Sequence, residues 1–424
     1  MSRVYKKITL GNGLRIIAHN MSNRASVALG IWIKVGGRHE SSEFKGISHF
    51  LEHLLFKGSR KYSCRKIKES IEGVGGALNG FTSEELTCYL VKIPASYLEL
   101  ALDILSSMVI SPALPTHEIE KEKQVILEEI KMHKDLPQSY VYDLLDELLW
   151  PNQPLGAPII GTVDSVSRIS REDLHLFKCK YYTPSNIVIS VAGALNLSKL
   201  TKSVKKIFSR QKRQNKNTFS RSREIQGAPG LKVFHKDTEQ THMALGFHSL
   251  ERDHSLKHAL GILHIILGAN MSSRLFNELR EKRGLAYDIG TQVRRLEDTG
   301  SFIVHAGIDN RKVVKALQVI LKELKKVKEK LVAQDEFRRA KEFYKGQLAI
   351  GLEDTLEHMF WIGETTATLD KTYSLVDIIK EISRIKREDV REVAKQILQE
   401  KKMNLALIGS LKASEKQIQN QLNI

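Results

Sequence analysis

The order of the predicted elements runs through the chain twice, and this repetition restricts the possible folds more than any other feature. The first half opens with strand patterns, continues with helical patterns and closes on a strand near 187–192. The second half follows the same order and closes on a strand near 404–408. Strands followed by helices without strict alternation are typical of an α+β domain with a mostly antiparallel sheet. We predict two homologous α+β domains, at residues 1–210 and 231–424, joined by a basic linker at 211–230.

Within the first domain, one strand prediction rests on composition. Gly73, Gly75 and Gly76 interrupt a helical pattern and lead into 77–93, a stretch rich in Thr, Phe and Tyr. These residue types favour a strand. The sequence therefore predicts a single strand over 77–93.

One helix of the first domain carries three polar side chains on an otherwise apolar surface. Residues 46–57 read GISHFLEHLLFK, and in a helix His49, Glu52 and His53 lie on one face. If these three residues were only part of a solvent-exposed surface, the helix should have a polar face and an apolar stripe on the opposite face. This helix is instead apolar nearly all round, which is typical of a buried helix, where such groups need a partner. The pattern favours a metal site, with two imidazoles as ligands and the carboxylate beside them as a base.

A site of this kind needs a third protein ligand. The best candidates lie in the helical stretch EKEKQVILEE at 120–129, where Glu122 and Glu129 are two turns apart and share a face. The alternative is that these acids belong to a solvated helix surface with neighbouring lysines. Spacing alone leaves both interpretations open.

The second half offers an internal test of the metal-site prediction. Its counterpart of the motif helix reads GILHIILG and keeps one histidine, His264. Its counterpart of the acidic helix carries Ala340 and Gln347 at the positions of Glu122 and Glu129. We therefore expect one metal site in each chain, in the first domain.

Charge and cysteine content exclude several other classes of protein. The formal net charge of +17 is concentrated in two basic stretches, 202–223 and 311–330, which indicate a linker and a solvated helix face. Nucleic acid, acidic polypeptides and membrane surfaces are the less favoured explanation. The three cysteines, Cys64, Cys88 and Cys179, are odd in number and widely spaced, which predicts neither a disulfide framework nor a cysteine metal site.

The sequence also carries no sign of membrane insertion or export. No stretch reaches the roughly 18 apolar residues of a membrane span. The first residues enter a strand pattern without an apolar run or a small-residue cleavage site. We expect a cytoplasmic protein without a membrane partner.

The motif His49-x-x-Glu52-His53, together with EKEKQVILEE, resembles the pitrilysin/insulinase family of inverzincin metallopeptidases. The short bacterial members, similar to the catalytic subunit of mitochondrial processing peptidase, are the nearest in pattern. The resemblance implies that Zn²⁺ is held by His49, His53 and Glu129, which lies 76 positions after His53, with Glu128 as the second choice. It also implies that Glu52 is the catalytic base.

Further segments extend the resemblance over nearly the whole chain and imply further roles. Glu122 would be a supporting catalytic acid that orients a ligand or water. The segment GGALNGFTSEELTCY is similar to the family strand that pairs with substrate, and implies contacts from Asn79 and Phe81. The segment SSRLFNELREKRGLAY resembles the one whose arginine and tyrosine reach the substrate, here Arg280 and Tyr287. Without the resemblance, these two would be a helix-surface arginine and a sheet-core tyrosine.

The function implied by the resemblance is zinc-dependent endopeptidase activity on short or unfolded polypeptides inside a closed chamber. The two domains would form half of a clamshell, and a second subunit would complete it, most simply as a homodimer, with a heterodimer left open. A catalytically silent structural or partner subunit is the alternative, and a basic nucleic-acid-binding protein is the other rival.

Overall fold

The computed structural model describes residues 4–213 and 218–423, so that part of the predicted linker, residues 214–217, lies outside the described residues. The strands are β1 (Lys6–Thr9), β2 (Arg15–Asn20), β3 (Ser26–Ile33), β4 (Ala77–Thr82), β5 (Thr87–Pro94), β6 (Ile187–Gly193), β7 (Gly230–His235), β8 (Gln240–Ser249), β9 (Ala286–Arg295), β10 (Gly300–Asp309) and β11 (Met403–Gly409).

Most of the remaining described chain is helical. The helices are α1 (Ile47–Leu55), α2 (Cys64–Glu72), α3 (Leu98–Ile110), α4 (Thr116–Asp135), α5 (Pro137–Leu149), α6 (Val163–Arg168), α7 (Arg171–Tyr181), α8 (Leu197–Phe208), α9 (Lys257–Leu267), α10 (Val313–Glu329), α11 (Gln334–Gly351), α12 (Thr355–Leu369), α13 (Leu375–Arg384), α14 (Arg387–Ile397) and α15 (Glu415–Gln419). A π-helical segment, Phe276–Glu281, precedes β9. No helix in the described ranges is long and apolar enough to cross a membrane.

The strands form two sheets that share the same order over five strands, and the first sheet has β1 as an additional edge strand. The first sheet runs β1-β2-β6-β3-β5-β4 and the second runs β7-β11-β8-β10-β9. In each sheet one pair is parallel, β2 with β6 and β7 with β11, and the other neighbours are antiparallel. Two mostly antiparallel sheets flanked by helices confirm the predicted α+β class.

The chain divides into two compact units that are not contiguous in sequence. One unit contains the residues up to Lys131, Ala157–Ser220 and Ala349–Ser374, and the other contains the intervening segments and the C-terminal part. Helix α5 therefore belongs with the second sheet and α12 with the first. The predicted domains, 1–210 and 231–424, are contiguous and lack this exchange, because an amphipathic pattern does not specify which sheet a helix covers.

The first sheet is covered on both faces. On one face, Leu29 and Ile31 of β3 join a core that includes α1 and α3. On the other, Trp32 packs with Met359 of α12, and its indole Nε1 donates to Ser190 Oγ over 2.7 Å. Burial of both faces explains why these strands are almost continuously apolar.

The second sheet repeats this arrangement within its own unit. Leu245 and Phe247 of β8 pack on one face with α9 and α10. On the other face, Ala244 packs with Leu145 of α5. A Cβ added at Gly246 would lie 2.8 Å from the Leu145 side chain, so glycine is required where α5 approaches the sheet.

The predicted single strand over 77–93 is wrong, because β4 and β5 form a hairpin. The turn, residues 83–86, has no Gly, Pro, Asn or Asp, and Ser83 is its one common turn residue. It is closed by Ser83, whose backbone N–H donates to Leu86 O over 2.8 Å and whose hydroxyl accepts from Leu86 N over 3.2 Å. In the turn, the carboxylate of Glu85 is buried against the guanidinium of Arg38, 2.8 Å away.

Candidate active site

Helix α1 begins at a tight junction held by a buried carboxylate. Gly46, before the first turn, has φ 91°, and a Cβ there would lie 2.6 Å from Ile160 O. Glu40 accepts hydrogen bonds from Gly46 N (2.9 Å) and Ser48 N (2.8 Å). These N–H groups have no partner within the helix. Glu40 therefore fixes the start of the helix that carries the histidines, a role that the sequence analysis missed.

His49, His53 and Glu129 converge within this unit. One ligand atom from each lies within 4.8 Å of the others. His49 Nε2 is 3.9 Å from Glu129 Oε1, and His53 Nε2 is 3.8 Å from Glu129 Oε2. Ligands of a tetrahedral zinc ion at ordinary bond lengths are about 3.3 Å apart. A small contraction would therefore let the three residues hold Zn²⁺, and the donor set fits that ion.

Burial keeps His49 in its neutral form at physiological pH. Burial, reinforced by the charge of His53, lowers the pKa of His49 to about 4. The two rings lie with centroids 4.6 Å apart. A neutral imidazole at physiological pH has a ring nitrogen lone pair that it can give to a metal ion.

Glu122 lies behind His53 rather than beside the predicted ligand atoms. Its buried carboxylate contacts His53 Nδ1 through Oε2 at 3.2 Å and Lys57 Nζ through Oε1 at 2.5 Å. Holding Nδ1 leaves Nε2 of His53 directed towards Glu129. This is the carboxylate–histidine arrangement that orients metal ligands. Lys57 was missed, although it follows His53 by four residues, the spacing of one helical face.

The directions of their side chains decide which of Glu128 and Glu129 is the candidate third metal ligand. The side chain of Glu128 is 71 % exposed and pairs with Lys131 at 2.7 Å. It points away from the histidines, whereas Glu129 joins them. The structure therefore places Glu129, and not Glu128, at the candidate metal centre.

Glu52 is buried next to the histidines and is held by one hydrogen bond. Thr82 Oγ1 donates to Glu52 Oε2 over 2.7 Å. Burial raises the pKa of Glu52, and the hydrogen bond from Thr82 opposes that rise. Thr82 could not be predicted from the sequence, because its contact with Glu52 depends on the register of β4 against α1. Gly80 faces α1 from the same strand, where a Cβ would lie 2.9 Å from the Phe56 ring.

The two predicted substrate contacts of β4 lie on the opposite face of the strand. Phe81 packs edge-on against Trp32 and Phe360, with ring centroids 5.8 and 5.9 Å away, and is part of the core around α12. Asn79 is exposed and accepts from Gly80 N over 2.8 Å. Because β4 is the outer strand of its sheet, the backbone N–H and C=O groups along its outer edge are the ones that could pair with an added strand.

Arg280 and Tyr287 form a pair in the other unit. The Arg280 guanidinium lies 4.6 Å from the centre of the Tyr287 ring and 4.9 Å from that of Phe276. Tyr287 is 74 % exposed, so the alternative of a sheet-core tyrosine is wrong. The pair presents an accessible phenol and a guanidinium beside it.

The counterpart of α1 in the second unit, α9, has no such centre. His264 bonds through Nδ1 to Thr291 Oγ1 over 2.7 Å, and burial lowers its pKa to about 4. Ala340 is buried and Gln347 is exposed. Over the ranges that the structure describes, His49, His53 and Glu129 are the one group of three His, Cys, Asp or Glu side chains that could hold a metal ion.

Two histidines and a glutamate on one helix, with a carboxylate ligand from a second helix, define the centre of an inverzincin metallopeptidase. Residues 15–163 match the family described as Insulinase (Peptidase family M16), and residues 168–344 match the Peptidase M16 inactive domain. The chain belongs to peptidase family M16, which confirms the predicted pitrilysin/insulinase resemblance.

Relatives span almost the whole chain. A protein named an uncharacterized zinc protease from Bacillus subtilis is 38 % identical over 395 residues, which cover 93 % of this chain and 96 % of that protein. Another of that description, from Streptomyces coelicolor, is 35 % identical over 413 residues, which cover 96 % of this chain and 90 % of the relative.

Solved structures share the fold. A protease from Helicobacter pylori superposes with a TM-score of 0.90 at 24 % identity, covering 96 % of this chain and 99 % of the other. The peptidase M16 inactive domain from Pseudomonas fluorescens superposes with a TM-score of 0.88 at 18 % identity, covering 97 % and 99 %.

Proposed function

We propose that this chain is a zinc-dependent endopeptidase that hydrolyses short or unfolded polypeptides inside a closed chamber, in the manner of a processing peptidase. Membership of family M16 makes it a metallopeptidase, and relatives named zinc proteases support Zn²⁺ as its cofactor. The observation that carries the proposal is the convergence of His49, His53 and Glu129 beside the buried carboxylate of Glu52.

In this proposal His49, His53 and Glu129 would hold the zinc ion, three protein ligands being the number typical of a catalytic zinc site. When bound, zinc polarises a peptide carbonyl and makes water acidic enough to lose a proton near neutral pH. Glu122 keeps His53 in the orientation that binds, and Lys57 balances the buried charge of Glu122.

Glu52 carries the proton transfers. Its Oε2 is held by Thr82, which leaves the other carboxylate oxygen to accept a proton from the attacking water. The same carboxyl group then donates that proton to the departing amine nitrogen as the peptide bond breaks. The raised pKa of Glu52 favours both steps, because a base with a pKa nearer to neutrality also returns the proton readily.

The substrate would bind in an extended form along the open edge of β4. An added strand is recognised mainly through its backbone, so folded proteins are poor substrates and sequence preference is broad. Asn79 would contact the substrate, whereas Phe81 would support the strand from behind. Arg280 and Tyr287 would donate hydrogen bonds to substrate, supplied by the partner subunit of a homodimer in the cytoplasm.

The proposal is tested by cleavage of a peptide library alongside a folded protein that contains the same target sequences. We expect the peptides to be cut and the folded protein to be spared. A chelator should abolish cleavage, and added Zn²⁺ should restore it. Zinc-loaded protein that cuts no peptide in the library would favour the alternative, a catalytically silent subunit.

A further inference from the structure

A basic cavity lies in the first unit outside the candidate active site. It has a volume of about 740 Å³ and is lined by Arg60 after α1, by residues 110–114 from the end of α3 towards α4, by one side of α7, and by Gln211. Its charged lining comprises Arg60, Arg171 and Lys178 against a single carboxylate, Glu172. Three cations facing one anion give the cavity a net positive charge.

Two of the cations are fixed by backbone carbonyl groups. Arg171 Nε donates to Leu114 O over 2.8 Å, and Lys178 Nζ donates to Ile110 O over 2.8 Å. An arginine has five N–H donors and a lysine three, so both retain donors for a ligand. Burial lowers the pKa of Lys178, and the nearby charge of Arg60 lowers it further.

A purely structural explanation accounts for only part of this cluster. Cations near the C-terminal end of a helix stabilise its carbonyl groups, which explains why Lys178 contacts the end of α3. It does not account for Arg60, a third cation that lines the cavity with an exposed side chain, for which residues 4–213 and 218–423 supply no hydrogen-bonding or ionic partner. Besides burial, the positive charge of Arg60 lowers the pKa of Lys178, and a bound anion would relieve this repulsion.

The cavity also adjoins the connections to both helices of the candidate metal centre. Arg60 N donates to Ser111 O over 2.9 Å, and Ala113 N donates to Gly58 O over 3.0 Å. These bonds join the segment that follows α1 to the segment that precedes α4. Leu114, buried between them, has φ 45°, a strained conformation for a leucine.

We propose that this cavity binds a compact polyanion with at least two negative charges. Guanidinium forks and an ammonium group recognise phosphate and carboxylate oxygens, and the volume lies in the range of about 300–1,000 Å³ that is typical of small-molecule sites. The bound anion joins Arg60 to Arg171 and Lys178. It thereby links the end of α1 to α7.

The experiment is isothermal titration of the full-length protein with inorganic tripolyphosphate and, separately, with citrate. The matched pair of variants is Arg60→Gln and Arg65→Gln. Each removes one positive charge, but Arg65 is 87 % exposed, pairs with Glu69 and does not line the cavity. We expect Arg60→Gln to weaken binding by about tenfold or more, the effect of losing a charged hydrogen-bonding partner, and Arg65→Gln to leave it unchanged.

Lys178→Gln provides a second variant, and the melting temperature provides a second measurement. Ligand should raise the melting temperature of the parental protein by mass action and raise that of Lys178→Gln less. Binding of tripolyphosphate alone assigns the site to phosphate groups, and binding of citrate alone assigns it to carboxylates. The proposal is overturned if neither anion binds, or if Arg65→Gln weakens binding as much as Arg60→Gln.

Discussion

Five strands have the same order in the two units, yet within the described residues only one unit brings together three side chains that could hold a metal ion. Both place a glycine of a central strand under a helix: Gly30 faces Met359 of α12, and Gly246 faces Leu145 of α5. Strand order and close packing are thus retained where the metal ligands are absent. The difference teaches that the fold depends on apolar packing, whereas the chemistry depends on a few side chains of α1 and α4.

The residues at the corresponding positions of α11 show how such a site can be absent without loss of the fold. Glu122 is buried and needs His53 and Lys57 as partners. Its counterpart, Ala340, is buried without any polar group to satisfy. Replacing a buried charge by a small apolar residue removes a desolvation cost. Substitutions that give α4 the residues of α11 test which side chains the candidate site needs, and Glu122→Ala also leaves His53 and Lys57 without their carboxylate partner.

The largest effect is expected from Glu129→Gln, which gives α4 the residue of Gln347. Because it removes an anionic ligand, zinc affinity should fall by more than the roughly 100-fold upper range for residues that only orient ligands. Peptidase activity should be lost with the metal. The zinc dissociation constant, measured by competition with a chelator, checks this. Glu128→Gln is the control, and an equal loss in both variants would contradict the assignment of Glu129.

A smaller loss is expected from Glu122→Ala, which gives α4 the residue of Ala340. His53 loses the carboxylate that orients it, so zinc affinity should fall by about 10- to 100-fold. The same competition measurement applies, with Glu120→Ala as the control, since Glu120 is 63 % exposed on the same helix. Unchanged zinc affinity in Glu122→Ala would show that Glu122 does not position His53.

Thr82→Val should affect turnover and leave zinc content as it is. Glu52 loses a hydrogen bond of 2.7 Å, and one such bond to a charged group accounts for about tenfold in rate. We expect kcat to fall by that factor with KM unchanged, as measured by steady-state kinetics on one peptide. Thr82→Ser keeps the hydroxyl group and should have the parental kcat. If kcat falls in Thr82→Ser as it does in Thr82→Val, the hydroxyl group does not position Glu52.

The smallest functional effect is expected in the second unit, from His264→Gln. Zinc content and kcat should match the parental protein. Burial lowers the pKa of His264 to about 4, whereas an unfolded histidine titrates near 6.5. Between these pH values the unfolded chain takes up a proton that the folded one does not, so stability falls as the pH falls.

The glutamine variant lacks this proton uptake. Its melting temperature should therefore drop less than that of the parental protein between pH 6.5 and about 4. Scanning calorimetry at several pH values gives the comparison. A parallel decline in the two proteins would show that His264 does not titrate as its burial implies.

The candidate ligands of α1, His49 and His53, were predictable because they share one helix, where spacing fixes the face on which side chains lie. The α+β class followed from the order of elements, and the repeat followed from its recurrence. The search for the third ligand could be narrowed to a stretch of α4, because Glu122 and Glu129 are spaced to share one helical face. Its selection over Glu128 required the resemblance, and the direction of each side chain required the structure.

The remaining features depend on contacts between distant parts of the chain. Thr82 reaches Glu52 only because of the register of β4 against α1, and Glu40 reaches α1 through a loop. The exchange of α5 and α12 between the units depends on which sheet each helix packs against, and both sheets offer a glycine at that contact. The turn of the β4–β5 hairpin depends on one serine, Ser83, without Gly, Pro, Asn or Asp beside it. No local pattern encodes these contacts.

The most direct measurement of the central claim compares the parental protein with Glu52→Gln, for zinc content and peptide cleavage in the same preparations. Glutamine keeps the size of the side chain but cannot accept the proton. We predict about one zinc ion per chain in both proteins, with cleavage by the parental protein and none detectable in the variant. Cleavage by Glu52→Gln at the parental rate would contradict the account.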